Sequence, residues 1–341
     1  MDELSTAASS SPGWRYRKRW PLACAAALIA LLVAALAVCW RMASAAVAPA
    51  HFAVGAPPHD LPAETIQLAS RSGATIAAWH VPVENSRGVV VLLHPIRGSR
   101  LTMVDRARLF RSAGYSVVMI DFRGHGESTG DSITLGHLEQ HDARAAVEFA
   151  RSRHPGEPIV VVGWSLGGAA ALLASPLGID ALILEEVYPT ITEALENRTR
   201  MRVGPLAPLA TAILVSQLEP RLGVAAEELR PIDEVAAAGC PILLLAGADD
   251  QHTTLEQSKR MFAAAAEPKQ YVYFEGAAHV DLLRYDNERY RRATLNFLDA
   301  QLRQRAVADG VAAPDDELAP LSGASRPVDN SASSTAASAS R

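Results

Sequence analysis

Ser165, within Gly163-Trp164-Ser165-Leu166-Gly167, is the residue of this sequence best placed to act as a nucleophile. A β-branched run, Ile159-Val160-Val161-Val162, precedes it, and the small-residue stretch Gly168-Ala169-Ala170-Ala171-Leu172-Leu173-Ala174 follows. Strand, G-x-S-x-G turn and helix in that order hold a serine hydroxyl on a sharp bend. The glycines two positions either side permit strained backbone and close approach of strand to helix. A serine hydroxyl also needs a base within hydrogen-bond reach, and that base needs a third group to orient it. His279, in Glu275-Gly276-Ala277-Ala278-His279-Val280, is the candidate base, since the small residues around it let an imidazole project. Gly247-Ala248-Asp249-Asp250 offers a candidate orienting acid. The chemistry these residues suit is acyl transfer through a covalent serine intermediate.

The surrounding pattern supplies elements to position them. Thr65–Leu68 and Thr75–Trp79 flank Ser72-Gly73 as an opening hairpin, and Val89–Leu93 is an unbroken apolar run suited to a strand buried on both faces. Residues 117–120, 159–162, 181–184, 242–246 and 271–274 repeat that character, with helical patterns over 102–113, 135–153, 166–175, 255–266 and 287–304. Such alternation predicts an α/β fold with a mostly parallel central sheet and helices on both faces. Catalytic groups of open parallel sheets gather at the carboxyl ends of the strands, and Ser165, the Asp249-Asp250 turn and His279 each follow a strand pattern. From about 188 to 233 the rhythm breaks into helical pattern interrupted by Gly204-Pro205, Pro208 and Pro220, the mark of a cap insertion.

These features resemble the α/β-hydrolase superfamily, in particular its bacterial esterase/lipase-like and serine-aminopeptidase-like members. The resemblance covers roughly residues 64–304 and rests on Gly163–Gly167, Gly247–Asp250, Gly276–His279 and Asp121-Phe122-Arg123-Gly124-His125-Gly126-Glu127-Ser128. It implies Ser165 as nucleophile, His279 as general base and Asp250, rather than Asp249, as the acid. Glu185 and Glu186 stand where some members carry the acid instead. It places the oxyanion on the amides of Leu166 and Ile96, although His94-Pro95 replaces the usual His-Gly ahead of Ile96. By the same resemblance Asp121, Arg123, His125 and Glu127 form a hydrogen-bonded loop beside the site. His94 reads as a loop-structuring residue, His252 as support for the Asp250 turn, and Glu139 and Asp142 as solvated or capping charges on a helix.

The bulk properties narrow the context. A chain of 341 residues, 49% of them hydrophobic, can bury a large core, and its formal net charge of −5 gives no reason to expect nucleic acid as a partner. Of three cysteines only Cys240 lies in the globular part, so no disulfide forms within that domain. No cluster has metal-ligand spacing and no phosphate-binding glycine signature occurs, so neither metal nor cofactor is expected. Arg15, Arg17, Lys18 and Arg19 precede an uncharged stretch from Trp20 to Trp40, closed by Arg41. About 20 apolar residues suffice to cross a bilayer, and the charge asymmetry sets the N-terminus in the cytoplasm.

The expected layout is therefore a basic N-terminus (1–19), a transmembrane anchor (20–41), an Ala/Pro linker (42–62), a hydrolase domain (63–305) outside the cytoplasm, and a disordered tail (306–341). Ala43-Ser44-Ala45 offers the alternative of signal cleavage and secretion. The reading is a membrane-anchored serine hydrolase acting on an ester or thioester of a small-molecule or lipid-like acyl group. A peptidase or amidase, and a catalytically silent binding module, are the alternatives.

Overall fold

The computed structural model describes residues 19–308, and the basic segment ahead of Arg19 and the tail beyond Ala308 lie outside them. In chain order the elements are α1 (Arg19–Val47), β1 (Ala50–His51), β2 (Glu64–Ala69), β3 (Thr75–Val81), β4 (Val89–Leu93), α2 (Val104–Ser112), β5 (Ser116–Ile120), β6 (His125–Gly126), α3 (Glu139–Arg153), β7 (Ile159–Trp164) and α4 (Leu166–Leu173). There follow β8 (Ala181–Glu185), α5 (Ile191–Val203), α6 (Ala207–Val215), α7 (Leu218–Leu222), α8 (Pro231–Glu234), β9 (Ile242–Gly247), α9 (Leu255–Ala264), β10 (Lys269–Phe274), α10 (Leu282–Tyr285) and α11 (Asn287–Ala308).

Eight strands form one sheet in the order β10-β9-β8-β7-β4-β5-β3-β2. β3 runs antiparallel to both β2 and β5, and the pairs from β5 through to β10 are parallel. The central strands read as continuous apolar runs because helices cover both of their faces. Along β4, Val89, Val91 and Leu93 enter one core with α3 and α4, while Val90 and Leu92 enter the other with α2 and α11. That is the two-residue alternation of a pleated strand, with both faces buried. This is the α/β-hydrolase fold.

Three expectations need correction. The 42–62 linker is partly ordered, because α1 continues to Val47 and β1 then pairs in parallel with β6. Small residues from Met42 to Val47 favour helix, and Pro49 stops it. The helix pattern over 135–153 begins only at Glu139, since Leu135 takes a positive φ of 58° and Glu139 caps the preceding loop, accepting from the amides of Thr134 (2.7 Å) and Gly136 (2.9 Å). Glu139 and Asp142 are consequently buried rather than solvated. Asp142 accepts from Ser70 and Ser72 (2.6 Å each) and from the Arg123 amide, and burial pushes its carboxyl up to about 6.

α1 is joined stiffly to the body. Arg221 of α7 lies over the Trp40 ring at 3.7 Å and donates to Ser44 Oγ at 3.0 Å. Arg97 donates to the Ala45 carbonyl, and the Ile133 amide donates to the Val47 carbonyl at 2.8 Å. The stretch Trp20–Val47 is long and apolar enough to cross a membrane, and its side chains up to Val38 are exposed. Ile191–Leu222 passes the same test of length and composition, but it is broken into α5, α6 and α7, which form the cap.

Candidate active site

The backbone at Ser165 is strained, with φ 51° and ψ −110°, between the end of β7 and the first residue of α4. Its amide is held by the Glu185 carbonyl at 2.8 Å. The neighbouring glycines are required by contact. A Cβ on Gly163 would come within 2.5 Å of Gly168 Cα, and one on Gly167 would run into the Leu93 carbonyl. Strand and helix therefore meet at a separation that leaves no room for a methyl group, which is how the turn lifts the serine out of the sheet.

His279 follows β10 and Asp250 follows β9, at the carboxyl end of the sheet where Ser165 also stands. His279 Nδ1 lies 2.7 Å from Asp250 Oδ2. The other oxygen of Asp250 accepts from the amides of His252 (2.6 Å) and Thr253 (3.0 Å), so the carboxylate is fixed at both ends. Nδ1 thus donates to the acid, and Nε2 is the nitrogen left to exchange a proton. The His252 ring stacks on His279 with centroids 5.0 Å apart.

A third carboxyl stands beside this pair. Glu186, buried and at a positive φ of 52°, has Oε2 3.6 Å from His279 Nδ1. It accepts from Trp164 Nε1 at 2.9 Å and from the Val280 amide at 3.3 Å. Burial, then the charge of Asp250, push its carboxyl up to about 9, against the opposing pull of the Trp164 bond. Glu186 is therefore neutral at physiological pH while Asp250 holds the histidine. Glu185 points the other way, into a buried cluster with Arg106 (Nε at 2.9 Å) and Tyr290 (2.5 Å). Glu186, Asp250 and His279 offer donor atoms within 4.8 Å of one another. The imidazole–carboxylate bond and the two N–H donors on Glu186 already account for that grouping.

Ser165, Leu166 and Ile96 line one cavity of about 630 Å³. Leu166 opens α4, so its N–H has no carbonyl partner within the helix. Ile96 sits in a tight turn closed by the Gly98 amide on the Pro95 carbonyl at 3.0 Å. His94 shapes that turn from beneath. It is fully buried, with Nδ1 2.7 Å from the Pro95 carbonyl and Nε2 accepting from the Phe122 amide at 3.0 Å. Burial and the neighbouring His125 hold its pKa well below the usual range, so it stays a neutral strut. Asp121 anchors the adjoining loop through buried Arg100, which also pairs with Glu127.

The rest of the cavity comes from residues that the sequence does not mark as functional. Tyr188, Ile191, Leu195, Arg198 and Arg202 reach it from the cap, and Met42, Ala45 and Ala46 from the end of α1. Only the cap carries a signal, as a long excursion between two strands. Nothing in an Ala-rich stretch roughly 120 residues before the serine marks it as a pocket wall.

The comparisons with known proteins agree with this architecture. The family described as serine aminopeptidase, S33, matches residues 84–185, from before β4 to the end of β8. The Bacillus subtilis protein YqkD is 24% identical over 241 residues, covering 68% of this chain and 78% of its own length. The Arabidopsis thaliana α/β-hydrolase domain-containing protein WAV2 is 27% identical over 261 residues, covering 72% of this chain and 82% of its own length. Among solved structures, the Pyrococcus furiosus esterase Pf2001 superposes with a TM-score of 0.62 at 19% identity, over 75% of this chain and 98% of that one. The chain has the α/β-hydrolase fold and is similar to these hydrolases.

Proposed function

We propose that this α/β-hydrolase is a membrane-anchored serine hydrolase that cleaves a carboxylic ester or thioester. The observation that carries the reading is Ser165 on a strained turn in a cavity, with the His279–Asp250 hydrogen bond of 2.7 Å at the same end of the sheet. In this mechanism Ser165 Oγ attacks the acyl carbonyl and His279 Nε2 takes its proton. Asp250 accepts from Nδ1–H and stabilises the imidazolium. The oxyanion is received by the amides of Leu166 and Ile96, where one donor is worth about 10²–10³ in turnover. His279 then protonates the leaving alcohol or thiol, and water attacks the acyl-enzyme to release the acid.

The anchor is α1, whose exposed apolar length supports a span with the N-terminus cytoplasmic and the domain outside. Helix continuity through Ala43-Ser44-Ala45, with Ser44 and Ala45 bonded to the body, favours an intact anchor over signal cleavage. An amide or peptide substrate is the second reading, favoured by the name of the matching family, and the same machinery serves it.

The test is covalent labelling of the full chain in detergent by a neutral fluorophosphonate. Labelling of the wild type that is lost in Ser165→Ala supports the reading. A folded wild-type chain that fails to label overturns it in favour of a silent binding module.

A further inference from the structure

The cavity beside Ser165 has an unbalanced charge for a chain with a formal net charge of −5. Three of its lining residues are arginines, Arg97, Arg198 and Arg202, and none is acidic. Arg97 is spent on main-chain carbonyls of Ala45 and Ala48, and Arg202 is exposed at the rim. Arg198, on the third turn of α5, is the informative one. It is half-buried, and its one hydrogen bond to a protein group among the described residues runs from Nη1 to the Ala194 carbonyl of its own helix, 2.9 Å. The carboxylate that acts on it most is Asp250, which is already engaged by His279.

A guanidinium taken out of water normally has an anionic partner, because leaving it unpaired is expensive. Two fully buried arginines obey that rule. Arg100 holds Asp121, and Arg106 holds Glu185. Arg198, half-buried, has no carboxylate bonded to it among the described residues, and it lines the same cavity as Ser165. Burial accordingly lowers its pKa, the direction expected for a cation short of a counter-charge. The planar fork of a guanidinium suits a carboxylate or a phosphate. Around it Ile191, Leu195, Leu135 and Met42 are apolar, so Arg198 stands as a cation in a wall otherwise suited to hydrocarbon.

We propose that Arg198 is the centre of an anion subsite, so that the substrate is an acyl ester carrying a carboxylate or phosphate a few bonds from the scissile carbonyl. The inference rests on the reading of Ser165 as nucleophile. Arg202 at the rim adds a second, solvent-screened attraction for the incoming anion. The anion has two sources, the acid end of a small acyl group and the phosphate of a lipid headgroup, and both meet the same guanidinium.

The experiment compares matched substrates on the full chain in neutral detergent. One pair is 4-nitrophenyl pentanoate and 4-nitrophenyl hydrogen glutarate, which share a five-carbon acyl chain and differ in a terminal carboxylate. The other is a monoacylglycerol and its phosphate monoester. The readout is the ratio of kcat/KM, anionic over neutral, in the wild type, Arg198→Gln and Arg198→Lys. The subsite predicts a wild-type ratio well above one in at least one pair. It also predicts a fall of about 10- to 100-fold in Arg198→Gln, the range of one charge-assisted hydrogen bond, mainly through KM. Partial recovery is expected in Arg198→Lys, which restores the charge without the fork. Preference in the first pair assigns a small dibasic acyl group, and in the second a lipid phosphate. A ratio near one in both pairs, or a preference that survives Arg198→Gln, overturns the subsite. Fluorophosphonate labelling run in parallel separates the two failures, since loss of the subsite leaves wild-type Ser165 reactive, whereas a wrong assignment of Ser165 abolishes labelling.

Discussion

Replacing Glu186 with glutamine should change how stability depends on pH, and the sign follows from where the proton sits. In the folded chain the carboxyl is raised from 4.5 to about 9. The native state therefore keeps a proton that the unfolded chain releases above about 4.5. The contribution of this group is fully present below the unfolded value. It declines as pH rises from there towards the folded value, and above about 9 it is lost and flat. Each pH unit within that window costs about 1.4 kcal/mol, so the wild type gives up on the order of 3 kcal/mol between pH 5 and 7. The group is almost fully withdrawn from solvent, so little of this is screened. A glutamine side chain in its place cannot ionise, and its carbonyl can still accept from Trp164 or Val280. Guanidinium denaturation of wild type and Glu186→Gln at pH 5, 7 and 9, followed by tryptophan fluorescence, measures the difference directly. The variant should gain on the wild type by a few kcal/mol as pH rises. A difference that stays constant from pH 5 to 9 would mean that Glu186 is already ionised in the folded chain, and the argument from burial would fail.

Three further outcomes follow from the same geometry. Asp250→Asn should leave the fold intact and lower kcat by about 10⁴, since an amide at this position leaves His279 in the wrong tautomer; steady-state ester hydrolysis checks it. Arg106→Met strands Glu185 in the core beside Tyr290, and should destabilise the chain by about 3–5 kcal/mol in denaturant titration. A reporter fused after Ala50 should show alkaline phosphatase activity, while a fluorescent protein that matures only in the cytoplasm should stay dark at the same point; the opposite pattern would reverse the topology.

The central strands are legible in the sequence because burial on both faces leaves an unmistakable apolar run, as at Val89–Leu93 and Ile159–Val162. The serine turn is legible for a steric reason, since contacts as close as those at Gly163 and Gly167 admit one residue type. What stays hidden depends on partners far away in sequence. Asp142 resembles a surface charge because its hydrogen bonds come from Ser70 and Ser72, some seventy residues earlier. Glu186 reads as a spare acid, and its neutrality emerges only when the fold buries it and brings Asp250 against it. The end of α1 reads as linker because an alanine-rich stretch has no amphipathic signature of its own. Its order comes from Arg221 and Arg97, which reach it from the body.

That last junction bears on more than pocket shape. Between α1 and β1 lie only Ala48 and Pro49, so the globular body has no swivel on α1. Trp20–Val47, at 28 residues, is about 42 Å long, roughly 12 Å more than the hydrocarbon thickness of a bilayer. In the proposed topology the surplus carries Met42 and Ala45 just clear of the lipid, at headgroup depth. Helices answer a thinner or thicker bilayer by tilting. Here any tilt would be passed to the whole domain and would swing the mouth of the cavity relative to the membrane plane. Bilayer thickness would then act on turnover of a membrane-borne substrate while leaving hydrolysis of a water-soluble ester untouched.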